Sequence, residues 1–140
     1  MRRAFWDLIK SDLEATPQRF DHILKLIEEI GNRLCSLCPR QSQEIRGHFD
    51  IELLRQMFVN SSFDAQEFGK LCYYIMMKLE MYCSVDHLES KLSPWCREQR
   101  EKLQSPLVYS EWIPQFFEGV HEHMDVIEDQ IKSFLSKMKQ

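Results

Sequence analysis

The chain has 140 residues, of which 44% are hydrophobic and 29% charged, and its formal net charge is −4. A compact chain of this length buries roughly two-thirds of its unfolded surface, so we expect one domain or a piece of one. Four glycines and five prolines are too few for the many turns of an all-β fold, and the acidic balance argues against a nucleic-acid binder, which usually carries a basic face.

The N-terminus carries a basic pair, but no apolar run follows it, because Asp7, Lys10 and Asp12 interrupt the apolar residues. This pattern does not fit a secretory signal. No stretch reaches the ~18 uninterrupted apolar residues of a membrane span. The five cysteines, an odd number, are therefore expected to be reduced thiols in an intracellular, cytoplasmic protein.

Two helices are predicted in the first part of the chain. Apolar residues between 3 and 14 recur at helical spacing, which indicates the first helix. Thr16 as N-cap and Pro17 at the first helical position then open the second. This helix is expected to end near Leu37, because Pro39 disfavours the helical conformation in the residue before it.

The middle of the chain predicts further helices. Residues 42–60 are typical of one short helical turn followed by a helix with Asp50 as its N-cap. Asp64 and Glu67 have the spacing of a capping box, which opens a helix over residues 65–83. That helix is apolar over most of its circumference, a pattern typical of a helix that is buried in a bundle or covered by a partner.

The helix over 65–83 supplies the first candidate binding surface. One of its apolar stripes is expected to face inward, and a second stripe consists of Tyr73, Met77 and Met81. If the helix lies at the centre of a bundle, the second stripe is also core. If it lies at the surface, the second stripe is a docking face, since methionine adapts to irregular partner surfaces.

The C-terminal part contains one long predicted helix. Residues 84–109 are interrupted by Pro94 and Pro106, with a short charged helix between the two prolines. Apolar residues at helical spacing then predict an amphipathic helix over 110–138. Its acidic polar face does not favour a membrane surface. Its apolar stripe either packs along the bundle or binds a partner helix through residues that include Phe116, Val120 and Met124.

Together these segments predict an all-α fold, an irregular bundle of about five to seven helices. Residues 1–140 form either a single helical domain or a fragment of a larger helical domain.

Cys35 and Cys38 are the most suggestive candidates for chemistry. Structural zinc needs about two more ligands, and no pattern requires the remaining candidates to converge; these are Cys72, Cys83, Cys96 and His48. A redox pair needs a stabilised thiolate, and the C-terminus of a helix disfavours the anion. We therefore interpret the pair as free, packed thiols. A structural metal-binding bundle that uses the cysteines is the alternative hypothesis.

The sequence indicates no catalytic residues and no cofactor. His121 and His123 point to different sides of a helix, so we interpret them as part of a solvated face. The glycines are too scattered for a phosphate-binding loop. The apolar faces lack the inward carboxylate and histidine ligands of a di-metal bundle, so an enzyme built in a bundle core is the least favoured hypothesis.

Four phrases occur in a specific order and spacing. They are AFWD at 4–7, SLCPRQ at 36–41, IR at 45–46 and FDIELLRQ at 49–56. Pro17, Asp64 and the Ile75-Met76-Met77 helix accompany them. On these residues the chain resembles the T-complex protein 11 family over 4–92, with a weaker resemblance over 116–135. It departs from the family at 83–87, where relatives carry a CAPVRDE-like turn, and Cys38 stands where relatives have leucine.

The resemblance implies a non-enzymatic, all-helical adaptor or regulatory protein that acts by binding other proteins and uses no cofactor. It also implies a link to cyclic-AMP and protein kinase A signalling and to sperm function. Partners would then be kinase-pathway proteins or structural components of sperm. The implied locations are the sperm flagellum or the acrosomal region, in addition to the cytoplasm.

Overall fold

The computed structural model describes residues 2–15, 19–59 and 65–138, and all regular secondary structure within these ranges is helical. The α-helices are α1 (Arg2–Glu14), α2 (Asp21–Leu37), α3 (Ser42–His48), α4 (Ile51–Val59), α5 (Ala65–Tyr82), α6 (Val85–His87), α7 (Ser93–Leu103) and α8 (Tyr109–Met138). A 3-10 turn over Pro39–Gln41 precedes α3, and a π-helical segment over Leu88–Leu92 joins α6 to α7. The all-α bundle predicted from the sequence is confirmed.

The helices surround one apolar core. α1 packs mainly on α8, α2 packs on α3 and α4, and α5 contacts both α7 and α8. Each fully buried large apolar side chain contributes about 1.5–3 kcal/mol relative to leaving it exposed. The core side chains with no exposed surface include Ile9, Ile27, Ile30, Leu34, Ile45, Phe68, Ile75, Leu79, Phe116 and Phe117.

Two predicted helix ends agree with the structure, and one predicted helix start does not. Asp50 accepts a hydrogen bond at Oδ1 from the backbone N–H of Leu53 at 3.0 Å, and thereby caps α4 as predicted. α2 ends at Leu37, two residues before Pro39. The predicted start of α2 at Thr16–Pro17 is wrong, because Arg19 and Phe20 are not helical and α2 begins at Asp21. The backbone N–H of Arg19 instead donates to the carbonyl oxygen of Asp12 in α1, at 2.9 Å. The Asp64 half of the predicted capping box lies outside the described residues.

The prediction that Pro94 interrupts the chain is wrong. α6, the π-helical segment and α7 follow one another without a gap, and Pro94 lies in the first turn of α7. The backbone N–H of Ser93 bonds to the carbonyl of Leu88, five residues earlier. The wider π-helical turn reaches Pro94 without demanding the usual hydrogen bond from its nitrogen, so the helical path continues.

Candidate protein-binding surface

α5 has an apolar stripe that faces solvent. Tyr73, Met77 and Met81 are 36%, 43% and 56% exposed, and each lies four residues after the one before it. Residues this far apart are neighbours on one side of a helix. On the other sides of α5, Cys72, Ile75 and similar apolar residues are completely buried. We call Tyr73, Met77 and Met81 the α5 stripe.

A notch lies beside the first residue of the α5 stripe. A groove of about 370 Å³ is lined by Gln66, Gly69, Lys70, Tyr73, Leu103 and Tyr109. Among the described residues, a Cβ atom added to Gly69 would meet no atom within 4 Å apart from the backbone of α5 itself. The missing side chain of Gly69 therefore leaves open space that an apolar side chain of another molecule can fill.

The apolar stripe predicted on α8 is buried, unlike the α5 stripe. Phe116, Val120 and Met124, which we call the α8 stripe, have no exposed surface. The ring of Phe116 stacks between Trp95, at 5.5 Å between ring centroids, and Trp112, at 4.8 Å. The α8 stripe therefore packs along the bundle, which is the first of the two alternatives given for this helix. It is not part of the candidate binding surface.

A buried lysine, which the sequence analysis missed, connects α5 to the 3-10 turn. Lys78 is 2% exposed. Its Nζ donates to Gln41 Oε1 at 2.7 Å and lies 3.5 Å from Glu44 Oε2. The hydroxyl of Tyr82 also donates to Gln41 Oε1, at 2.9 Å. The ring faces of Tyr74 and Tyr82 lie 5.5 and 5.9 Å from Nζ.

This lysine cluster gives a physical role to one of the phrases noted in the sequence. Gln41 is the last residue of SLCPRQ, and it accepts from both Lys78 and Tyr82. Burial raises the pKa of Tyr74 to about 12, with the charge of Glu44 adding to the effect. Both tyrosines therefore stay neutral beside the ammonium group. The sequence does place Lys78 between apolar residues of a helix, which is a possible signal of burial. The signal is weak, because a long lysine side chain often extends along an apolar surface and reaches water with its charged end.

The interpretation of His121 and His123 as a solvated face is wrong. His121 Nδ1 lies 2.8 Å from Arg33 Nη1, and since arginine can only donate, this nitrogen is the acceptor. Arg33 also donates to Asp125 at 2.8 Å and to Glu128 at 3.0 Å. His123 Nδ1 lies 2.9 Å from a histidine nitrogen of α6. Both histidines are in contact with other helices because α8 has neighbours on more than one side.

All five cysteines are free thiols. Cys35 is buried, with its Sγ 3.7 Å from the carbonyl oxygen of Ser42, and Cys38 follows the last residue of α2. Burial raises the pKa of Cys96 to about 12, with Glu80 adding to the effect, so this thiol is protonated at neutral pH and a poor nucleophile.

Neither a metal site nor a membrane span is evident in the part of the chain that the structure describes. Over 2–15, 19–59 and 65–138, no group of three or more His, Cys, Asp or Glu side chains is arranged to hold a metal ion. The helices in these ranges also include none with the length and apolar character needed to cross a bilayer.

Comparison with known proteins identifies relatives of the N-terminal part. The chain is similar to the T-complex protein 11 homolog of Homo sapiens, with 33% identity over 88 residues, which cover 60% of this chain and 17% of the relative. It is also similar to the T-complex protein 11 homolog of Rattus norvegicus, with 34% identity over 84 residues, which cover 57% of this chain and 14% of the relative. The chain thus corresponds to less than a fifth of the length of either relative.

The sequence model of a protein family also matches the N-terminal part of the chain. No solved structure matches the chain. The model that describes T-complex protein 11 matches residues 1–84, which include α1 to α5, the α5 stripe and the Lys78 cluster. Because this match covers more than half of the 140 residues, the chain belongs to the T-complex protein 11 family.

Proposed function

We propose that this chain is a non-enzymatic adaptor or regulatory module that binds another protein through the α5 stripe. The observation that carries the proposal is the exposure of Tyr73, Met77 and Met81 on a helix whose other sides form the core. Single exposed apolar residues are common, but three that neighbour one another on one side of a helix form a surface that water solvates poorly.

The shape of the surface favours a helical partner. The α5 stripe spans about 12 Å, since each helical residue rises ~1.5 Å. An amphipathic helix lays its apolar side chains into such a surface at spacings of three and four residues. The notch over Gly69 supplies a place for one of them, and methionine side chains adjust to the rest.

The family resemblance supports a narrower proposal for the biological setting. We propose a role in cyclic-AMP and protein kinase A signalling and in sperm function, with kinase-pathway proteins or structural components of sperm as partners. The proposed location is the cytoplasm, including the sperm flagellum or the acrosomal region.

A cross-linking experiment identifies the partner. A photo-reactive amino acid replaces Met77 in one version of the chain and Leu53 in another, because Leu53 is an apolar residue of α4 that is 49% exposed. Each version is incubated with a testis extract, and adducts are identified by mass spectrometry. We expect a protein adduct from position 77 that is absent from position 53.

Binding of the purified partner then tests the surface. The double variant Met77→Gln and Met81→Gln should weaken binding at least tenfold, because each amide is buried in an apolar contact without a hydrogen-bond partner, which costs about 1–3 kcal/mol. The control Leu53→Gln should bind as the unchanged chain does. Equal affinity of the double variant and the unchanged chain would exclude the α5 stripe as the binding surface.

A further inference from the structure

The segment that follows α5 lies against α8 and is joined to it by a pair of histidines. His87 Nε2 in α6 lies 2.9 Å from His123 Nδ1 in α8, a hydrogen-bond distance. Near the start of the segment, the backbone N–H of Ser84 donates to Gln130 Oε1 at 3.4 Å. We call residues 84–95 the α8 cover and His87 with His123 the histidine pair.

The last residue of the α8 cover packs closely on α8. The ring of Trp95 stacks on Phe116 and lies 4.9 Å from the ring of His123, between centroids. A Cβ atom added to Gly119 would come within 2.5 Å of the Trp95 ring, so only glycine admits the ring at this depth. Trp95 therefore covers Phe116, the first residue of the α8 stripe.

The hydrogen bond of the histidine pair tolerates no more than one added proton. With both imidazoles neutral, or with one of them protonated, one nitrogen donates and the other accepts. A second added proton leaves no acceptor and places two like charges next to each other. Among the described residues, the cation Lys91 and the uncharged Trp95 ring act on the pair. Asp86, next to His87 in α6, is exposed. Glu122, next to His123 on α8, is exposed.

We propose that the α8 cover is an acid-sensitive cover, held on α8 by the histidine pair and released when the pair takes up protons. Its release uncovers Phe116 and the face of α8 around Gly119. This inference does not depend on the proposed function of the α5 stripe.

The protonation equilibria give the direction and the size of the effect. Burial, together with His87 and Lys91, lowers the pKa of His123 to about 4, and burial with Lys91 also lowers the pKa of His87. After release, the pKa of His87 in the segment and that of His123 on α8 both return toward the ordinary value of about 6.5, because both rings then meet water. A pKa that is lower in the closed state favours closure above pH ~6.5 and loses this contribution as the pH falls toward 4. From pH 7 to pH 5, His123 alone raises the released population about twentyfold.

Two buried cysteines measure release separately from global unfolding. Cys96 follows Trp95 in α7, Cys72 lies in α5, and neither has exposed surface. The full chain is labelled at pH 7 and pH 5 with a disulfide reagent, and each rate is divided by that of the denatured chain at the same pH. Peptide mass spectrometry assigns the label. We expect Cys96 to gain at least tenfold in normalised rate at pH 5 and Cys72 to change by less than threefold.

Substitutions test whether the acid-induced gain in Cys96 labelling depends on the histidine pair. His123→Gln keeps a hydrogen-bonding side chain without a titrating group, so the gain at Cys96 should fall below threefold. His48→Gln, on α3 and away from α8, should keep the full gain. If His123→Gln does not fold, an NMR titration of the unchanged chain decides, and the His123 ring should titrate below pH 5. A parallel gain at Cys72, a response that persists in His123→Gln, or a His123 ring that titrates near pH 6.5 would overturn the proposal.

Discussion

The α5 stripe and the α8 stripe, on the two longest helices, differ in their exposure to solvent. On α8 the stripe of Phe116, Val120 and Met124 is completely buried, and two tryptophan rings stack on Phe116. On α5 the outer stripe of three residues is at least one-third exposed throughout. The difference lies in the neighbours. α1 and α5 pack on α8, and Trp95 of α7 stacks on Phe116, whereas Leu103 of α7 lines the notch beside Tyr73.

Because of this difference, we expect substitutions in the α8 stripe to change stability and substitutions in the α5 stripe to change binding. A side chain enclosed by rigid aromatic rings loses its contacts outright when it is shortened. A methionine at the surface has water on one side and keeps few contacts to lose. The covered helix should therefore be sensitive in unfolding experiments and the uncovered stripe in binding experiments.

The largest contrast should come from truncation of one residue in each stripe. Phe116→Ala should lower the free energy of unfolding by about 3–5 kcal/mol, because it leaves a cavity between Trp95 and Trp112. Met77→Ala should change it by less than about 0.5 kcal/mol. Urea denaturation followed by circular dichroism measures both. Similar losses for the two variants would contradict the assignment of one stripe to the core and the other to the surface.

The next contrast concerns two lysines on α5 itself. Lys78→Ala should cost about 2–3 kcal/mol, because the buried stem and the hydrogen bond to Gln41 are both lost. Lys78→Met keeps most of the stem and should cost about 1 kcal/mol. The control is Lys70→Ala, since the Lys70 side chain is 73% exposed and should contribute less than about 0.5 kcal/mol. A Lys78→Ala variant as stable as Lys70→Ala would show that the cluster does not stabilise the fold.

These lysines also show how far the sequence predicts the molecule. Helical spacing, Pro39 and the Asp50 cap are local signals, and each located an element correctly, because a helix is determined by residues within a few positions of one another. The partners of Lys78 and His123 lie more than thirty residues away, on other helices. No local pattern contains that information.

The same limit applies to the candidate surface. Spacing alone gave both stripes the same two alternatives, core or partner, because the pattern records an apolar face and not what covers it. The three-dimensional positions of the neighbouring elements, which include α1, α5 and Trp95 on α8, separate them. The family resemblance, in contrast, was predictable from short phrases whose order and spacing are properties of the sequence itself.

A smaller contrast concerns one glycine on each helix: Gly119 on α8 lies against Trp95, whereas Gly69 on α5 lies beside open space. Gly119→Ala should lower the free energy of unfolding by about 1–3 kcal/mol, because the new methyl group overlaps the ring of Trp95 and forces it outward. The displaced indole should also change the fluorescence of Trp95 before global unfolding. An unchanged spectrum with unchanged stability would show that Trp95 does not rest on Gly119, which would also remove the packing basis of the α8 cover.

The smallest effect should be a gain of stability at the corresponding glycine of α5. Gly69→Ala should raise the free energy of unfolding by about 0.5–1 kcal/mol, because alanine has the higher helix propensity and its methyl group overlaps no atom of the neighbouring elements that the structure describes. A Gly69→Ala variant that is less stable than the unchanged chain would show that the space beside Gly69 is filled and that no notch exists there. Gly69→Leu fills the notch from within, so it should weaken partner binding while the bundle stays folded. If the leucine variant binds as tightly as the unchanged chain, the notch is not part of the binding surface, and the partner contacts the α5 stripe alone.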